Sequence, residues 1–236
     1  MNERGLGRKP SPFDARDWKA GRLLALKAAG YVPKNWECDA VLDQDGHPYC
    51  VGYGVAGYGN CAPVDDQYTN ADGDALYREA CTIGGYPDSE DGAYTRDGLK
   101  ALRARGRIAA YAALPDVNAV AGWLANEGSV VVGTDWHAGM FDVVGGYVVP
   151  SGPVVGGHCY LLIGVDADSF TLLNSWGIGW GNAGRARIRQ EHFAGLLERE
   201  GEAWAAVELP LDAPVPVRPT LWQRLWAFIM RLLRRR

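Results

Sequence analysis

The spacing of hydrophobic and polar positions changes character near Ser129. Before it, apolar residues recur at helical intervals in Asp74 to Thr82, in Arg96 to Arg105 stopped by Gly106, and in Asp116 to Asn126 stopped by Gly128. A further helix is expected over Ala15 to Ala29, where Trp18, Leu23, Leu24 and Leu26 share helical spacing and Gly30 ends the run, behind a polar arm over residues 1–14. After Ser129 the pattern shifts to short β-favouring runs: Val130 to Thr134, Tyr147 to Pro150, His158 to Val165, Ser169 to Asn174, Arg185 to Arg189 and Ala203 to Leu209. Helices followed by strands predict an α+β chain.

Two of these runs carry chemistry. His158 to Val165 and Ser169 to Asn174 are separated by Asp166-Ala167-Asp168, which is turn chemistry, so a β-hairpin centred near Asp166 is expected. Such a hairpin sets His158 directly opposite Asn174, with Cβ atoms about 4.5–5.5 Å apart. The amide can then hold the imidazole, which is the base-plus-orienter half of a catalytic triad. The nucleophile must come from Cys38, Cys50, Cys61, Cys81 or Cys159, and Cys50 stands out because Gln44 lies six residues before it. Taken singly, each of these residues has a plain structural role: Cys50 a small buried hydrophobe, Gln44 a solvated loop residue, Asn174 a strand-end amide, His158 a hydrogen-bonded core histidine. Their joint order points to chemistry. Cys159 falls on the opposite face of its strand from His158 and reads as core; His47, His137 and His192 have no evident partners.

The run Gln44-Asp45-Gly46-His47-Pro48-Tyr49-Cys50, then Gly156-Gly157-His158, Asn174-Ser175-Trp176-Gly177, Gly179-Trp180-Gly181 and Gly184, resembles the papain-like cysteine peptidases from about Trp36 to Leu209. The chain departs from the family signature C-G-[SA]-C-[WY] around the nucleophile, with His47, Pro48 and Tyr49 before Cys50 and Val51 after it. His158 and Asn174 also follow Cys50 more closely than the family's roughly 130–150 residues, which implies shortened surface loops. The resemblance implies an α+β, papain-like two-lobe fold. A helical lobe, about 35–127, would carry Cys50 and a β-rich, barrel-like lobe, about 128–209, would carry His158 and Asn174. Cys50 would open a helix running from Val51 to about Tyr58, although Gly52, Gly54, Gly57 and Gly59 each cost it up to about 1 kcal/mol relative to alanine and demand close packing.

In the roles the resemblance implies, Cys50 is the nucleophile, His158 the base and acid, Asn174 its orienter and Gln44 the oxyanion donor. Trp176 covers the Asn174–His158 contact, and Gly92 and Ala93, in the loop from Ser89 to Thr95, with Gly157, form the substrate-binding edge. The family has a long inhibitory propeptide ahead of the catalytic domain, and the stretch before Cys50 reads as too short for one, so a divergent member lacking a propeptide is expected. A family disulfide uses a cysteine three residues before the nucleophile, where this chain has His47. Cys61 with Cys81 stays open as a pair, and free buried thiols are the favoured reading for a reducing compartment. A zinc site from Cys38, His47, Cys50 and Cys61 lacks a C-x₂-C pair, so neither metal nor cofactor is expected.

With 47% hydrophobic and 22% charged residues the chain is globular. Its net charge of −4 divides into +5 from Pro210 onward and −9 before it, and the acidic body argues against nucleic-acid binding. Four prolines make 210–219 a semi-rigid linker. Residues 220–236 then read as a basic amphipathic helix with Trp222, Leu225, Trp226, Ile229 and Leu233 on one face and Arg224, Arg231 and Arg235 on another. It is too short to span a bilayer, which leaves an anionic membrane surface as the favoured partner and a protein surface as the alternative. With no leader pattern at its start, the chain is expected to be cytoplasmic, peripheral on a membrane if the tail helix docks there. The leading function is thiol-dependent endopeptidase action on a peptide or protein substrate. Alternatives are a catalytically weak papain-like binding protein, a Cys–His peptidoglycan amidase or endopeptidase, and a membrane-active protein whose tail is the working part.

Overall fold

The computed structural model describes residues 4–15, 17–19, 32–87 and 89–208. The linker 210–219, the tail helix 220–236 and most of the helix expected over Ala15 to Ala29 lie outside the described residues. Within that last stretch Trp18–Lys19 is a strand, so a helix does not start at Ala15.

Ten short strands and five helices make up the described chain. The strands are β1 (Arg8–Lys9), β2 (Trp18–Lys19), β3 (Lys34–Asn35), β4 (Ala93–Tyr94), β5 (Ile108–Ala113), β6 (Val130–His137), β7 (Val154–Val165), β8 (Ser169–Leu173), β9 (Arg185–Arg189) and β10 (Glu202–Glu208). The helices are α1 (Cys50–Gly59), α2 (Asn70–Gly84), α3 (Thr95–Ala104), α4 (Val117–Asn126) and α5 (Gln190–Glu198). One sheet runs β2-β5-β10-β6-β7-β8-β9 with β3 also on β7, and a separate pair joins β1 to β4. All ladders of the large sheet are antiparallel except β2–β5.

The three helices expected from periodicity form, within a few residues of their expected ends. Thr69 and Asp72 close a capping box at the start of α2, whose C-terminus turns at Gly85 with φ +85°. Asp116 caps α4 by accepting the Ala119 N–H at 2.8 Å. β5 and α5 were not expected. Ile-Ala-Ala-Tyr-Ala-Ala has little β-branched content, and it is a strand because β10 pairs with it over five residues. The strand expected over Tyr147 to Pro150 is absent: Tyr147 makes only isolated bridges to Val144 and Arg187.

Strand β7 organises the interior because its two faces enter different cores. Cys159, Leu161 and Ile163 pack with α1, α2 and α3, whereas Tyr160, Leu162 and Val165 pack with α4, α5, Trp136 and Trp176. Every residue of α1 is buried, and its glycines are contact surfaces. A Cβ on Gly52 would lie 2.3 Å from the Gly73 carbonyl oxygen, and one on Gly54 would lie 2.6 Å from Cys159 Sγ. Close approach to α2 on one side and β7 on the other is what holds this glycine-rich segment helical.

Cys38 and Cys61 form a disulfide, correcting the expectation of free thiols or a Cys61–Cys81 pair. The two lie side by side in an isolated antiparallel bridge, whereas Cys81 is a free, buried residue of α2. Among the described residues no cluster fit to hold a metal occurs and no helix is long and apolar enough to cross a membrane.

Candidate active site

Cys50 is the first residue of α1, and its N-cap residue Tyr49 offers no side-chain hydrogen bond to the helix N-terminus. The unpaired N–H groups and the helix dipole therefore favour negative charge at this end. Cys50 is nevertheless fully buried, and that burial pushes its thiol up to about 11, with backbone groups of Cys159, Gly7 and Val51 and the charge of Arg8 pulling the other way.

His158 and Asn174 meet, though not by the expected register. In the β7–β8 hairpin Leu161 faces Leu173, and the ladder shifts between Leu162 and Gly164, so His158 does not face Asn174 across the ladder. β8 ends at Leu173. Asn174 then turns away under the hold of the Gly184 carbonyl, which accepts its N–H at 2.9 Å. From there its Oδ1 lies 2.8 Å from His158 Nε2. Because that oxygen only accepts, Nε2 carries the hydrogen in the neutral ring and Nδ1 presents its lone pair. Nδ1 is buried and has no hydrogen-bond partner among the described residues. Burial pushes the imidazole down to about 4, against the opposing pull of the Asn174 bond.

Trp176 stacks on the imidazole with ring centroids 4.6 Å apart, and Trp136 meets it edge-on at 4.9 Å. The two rings pack on the imidazole, and both His158 and Asn174 are buried. Gln44 is tied to the same loop: its N–H donates to the Ser175 carbonyl at 3.0 Å and its Oε1 accepts Ser175 Oγ–H at 2.7 Å. This orients the amide so that Nε2 points to carbonyl oxygens, those of His47 and Gly5.

The Gly5 contact reveals what the sequence did not. Residues 4–9 of the polar arm lie along this site. Arg4 stands over the Trp176 ring at 5.3 Å, Gly5 accepts from Gln44 at 3.0 Å, and the Gly7 N–H donates to the Gly157 carbonyl at 3.0 Å. Ala93 N–H donates to the Gly7 carbonyl at 2.8 Å, and β1 then runs parallel to β4. The four residues expected to bind substrate, Gly92, Ala93, Gly157 and Trp176, thus all meet the arm. Gly92, at φ +92°, has no room for a Cβ, which would lie 1.8 Å from the Gly7 carbonyl oxygen. Gly5 and Gly7 fit as tightly against His47 and Pro48: a Cβ on Gly5 would lie 1.9 Å from the His47 carbonyl oxygen. Beyond Trp176 the groove opens into a cavity of about 440 Å³ lined by Arg4, Phe141, Val143, Gly146, Trp180 and Asn182.

Compared with solved structures, the chain is similar to xylellain, a cysteine protease from Xylella fastidiosa, with TM-score 0.68 and 18% identity over 88% of this chain and 97% of that one. It is similar to digestive procathepsin L2 proteinase from Tenebrio molitor larval midgut, with TM-score 0.64 and 16% identity over 87% and 78% of the two chains. The bromelain protease from Ananas comosus matches with TM-score 0.56 and 14% identity over 73% of this chain and 94% of that one. No family model and no curated protein sequence matches the chain. The architecture is the papain-like α+β fold.

Proposed function

We propose that the chain is a thiol-dependent peptide-bond hydrolase in which Cys50, His158, Asn174 and Gln44 do the chemistry. The observation that carries this reading is the His158–Asn174 bond, 2.8 Å long, which leaves Nδ1 of a buried imidazole without a partner among the described residues, on the strand against which the helix that begins with Cys50 packs. His158 takes the thiol proton at Nδ1, and the helix terminus supports the thiolate. The thiolate attacks the substrate carbonyl, and the oxygen that becomes negative receives the Gln44 Nε2–H and the Cys50 backbone N–H. His158 returns the proton to the leaving amine, and water then hydrolyses the thioester. Ala93 and Gly157, which hold the arm's backbone, hold the substrate's backbone in the same way.

The test is the pH dependence of iodoacetamide labelling, with the modified cysteine located by mass spectrometry, in the chain lacking residues 2–9, which lie over the site, with and without His158→Ala. Labelling of Cys50 at pH 5–6 that disappears in His158→Ala, together with cleavage of a quenched peptide library that Cys50→Ala cannot cleave, supports the reading. Labelling that rises only near the ordinary thiol value of about 8.5 in both proteins, with no cleavage, overturns it. That outcome favours a papain-like binding protein, a reading motivated by the occupied groove and the buried, protonated Cys50.

A further inference from the structure

Of the cysteines, Cys38 and Cys61 are bonded to each other, and Cys50, Cys81 and Cys159 are free, buried thiols. Cys50 and Cys159 meet. The Cys50 sulfur accepts the backbone N–H of Cys159, and the charge that Cys50 carries as a thiolate reaches the Cys159 thiol. The Cys159 side chain leaves β7 on the face that packs with α1. It touches that helix one turn beyond Cys50, where a Cβ on Gly54 would lie 2.6 Å from Cys159 Sγ. Residues four apart are neighbours on a helix face, so Cys50 and position 54 present to β7 together. Across the ladder to β6, Cys159 stands in register with Gly133. Both positions that adjoin the Cys159 side chain are thus glycines, and neither puts a side chain in the way of its sulfur. An amide that hydrogen-bonds a sulfur leaves the two Cα atoms one hydrogen bond and three covalent bonds apart, which is the scale of the roughly 4.4–6.8 Å that a disulfide bridges. Cys81, on α2, is hydrogen-bonded to Tyr77 of its own helix.

The two neighbouring thiols differ in reactivity. Cys50 opens α1, where the helix terminus favours a thiolate, and the charge of Arg8 pulls it the same way. Cys159 lies mid-strand, and burial first and the neighbouring Cys50 second push it well above the ordinary thiol range, so it stays protonated. Peroxides react with the thiolate, which makes Cys50 the sulfur attacked and Cys159 the sulfur that answers. Packing alone asks only for a small apolar side chain at position 159, which alanine supplies; a sulfur beside the nucleophile adds chemistry that alanine lacks.

We propose that Cys159 is a resolving thiol for Cys50, so that a hydroperoxide converts the pair into a reversible Cys50–Cys159 disulfide and switches the nucleophile off. The Cys50 thiolate attacks the O–O bond, one oxygen staying on the sulfur as a sulfenic acid and the other leaving as hydroxide or alkoxide. The Cys159 sulfur then attacks the Cys50 sulfur, the S–O bond breaks, and the hydroxyl leaves as water with the Cys159 proton. The pair has lost two electrons to the peroxide, and a dithiol returns them. Once bonded, neither sulfur goes on to sulfinic or sulfonic acid. The inference concerns the sulfurs and not the amide, so it stands or falls apart from the hydrolase reading.

The experiment treats the full chain, its Cys38–Cys61 bond intact, with excess hydrogen peroxide, blocks the remaining thiols with N-ethylmaleimide, digests without reductant and identifies linked peptides by mass spectrometry. The peptides holding Cys50 and Cys159 should be joined, with the Cys38–Cys61 pair as internal standard, and dithiothreitol should return Cys50 alkylation to within about twofold of its untreated rate. In Cys159→Ala the same treatment should leave Cys50 as sulfinic or sulfonic acid, with alkylation lowered about tenfold or more and not restored by dithiothreitol. Cys159→Ser takes its place if alanine does not fold. Cys50 left unoxidised in wild type, oxidised singly, or linked to Cys81 overturns the pair, and the wild-type digest decides this without any variant. Recovery of Cys50 in Cys159→Ala equal to that of wild type overturns it as well. A Cys50–Cys159 bond in a chain that cleaves no peptide supports the pair and counts only against the hydrolase reading.

Discussion

At the scale of single residues, the site is built from polar groups whose orientation is fixed by one bond to the loop after β8. His158 spends Nε2 on Asn174 and keeps Nδ1, and Gln44 spends Oε1 on Ser175 and keeps Nε2 for a carbonyl oxygen. The Gln44 amide accordingly tests the assignment of the oxyanion donor. Gln44→Ala should lower kcat on a cleaved peptide by about 10²–10³ with a small change in KM, read by steady-state kinetics; a drop confined to KM would assign the residue to ground-state binding. The residue types were legible in the sequence because Gln44, Cys50, His158 and Asn174 stand in a recognisable order. The His158–Asn174 contact was expected too, but not the way it forms. The expected cross-strand pairing of His158 with Asn174 fails by register, and the contact arises because Asn174 has already left β8.

At the scale of elements, α1 shows how a poor helix sequence becomes a buried helix. Gly52 and Gly54 remove the side chains that would separate α1 from α2 and β7, so their cost in propensity is offset by packing. Gly52→Ala forces a Cβ against the backbone of α2 and should destabilise the fold by about 1–3 kcal/mol in urea unfolding, whereas the change would be stabilising if propensity governed. The disulfide ties the segment before α1 to the residue just past its end. Cys38→Ala/Cys61→Ala should lose about 2–4 kcal/mol by the same measurement while leaving Cys50 alkylation intact. Helices with strong apolar periodicity were readable at this scale. β5 was not, since its alanine-rich run is a strand only because β10 lies beside it.

At the scale of the whole molecule, the arm and the groove describe one resting state. With residues 4–9 in place the thiol is pushed up and the imidazole down, so both are neutral near pH 7. Deleting residues 2–9 should let water reach the pair and speed Cys50 alkylation at pH 6 by about tenfold or more, read by mass spectrometry; an unchanged rate would show that the arm does not govern the thiol. The folded-state value of His158 lies below the ordinary imidazole value of about 6.5, so the unfolded chain binds more protons between pH 6.5 and about 4. Stability should therefore fall as pH drops through that window and level off below it, measured by thermal melts; in His158→Gln the slope should flatten. By itself the sequence determined the fold class, three of the helices, the candidate nucleophile and the histidine–asparagine pair, because helical periodicity and an ordered set of chemical residues are local properties. Only the tertiary structure decided the strand register, the Cys38–Cys61 bond, and the placing of a polar arm in the groove with Arg8 on Glu202. Those depend on which distant surfaces come together, and a glycine or an arginine in a terminal arm carries no mark of the partner it will meet.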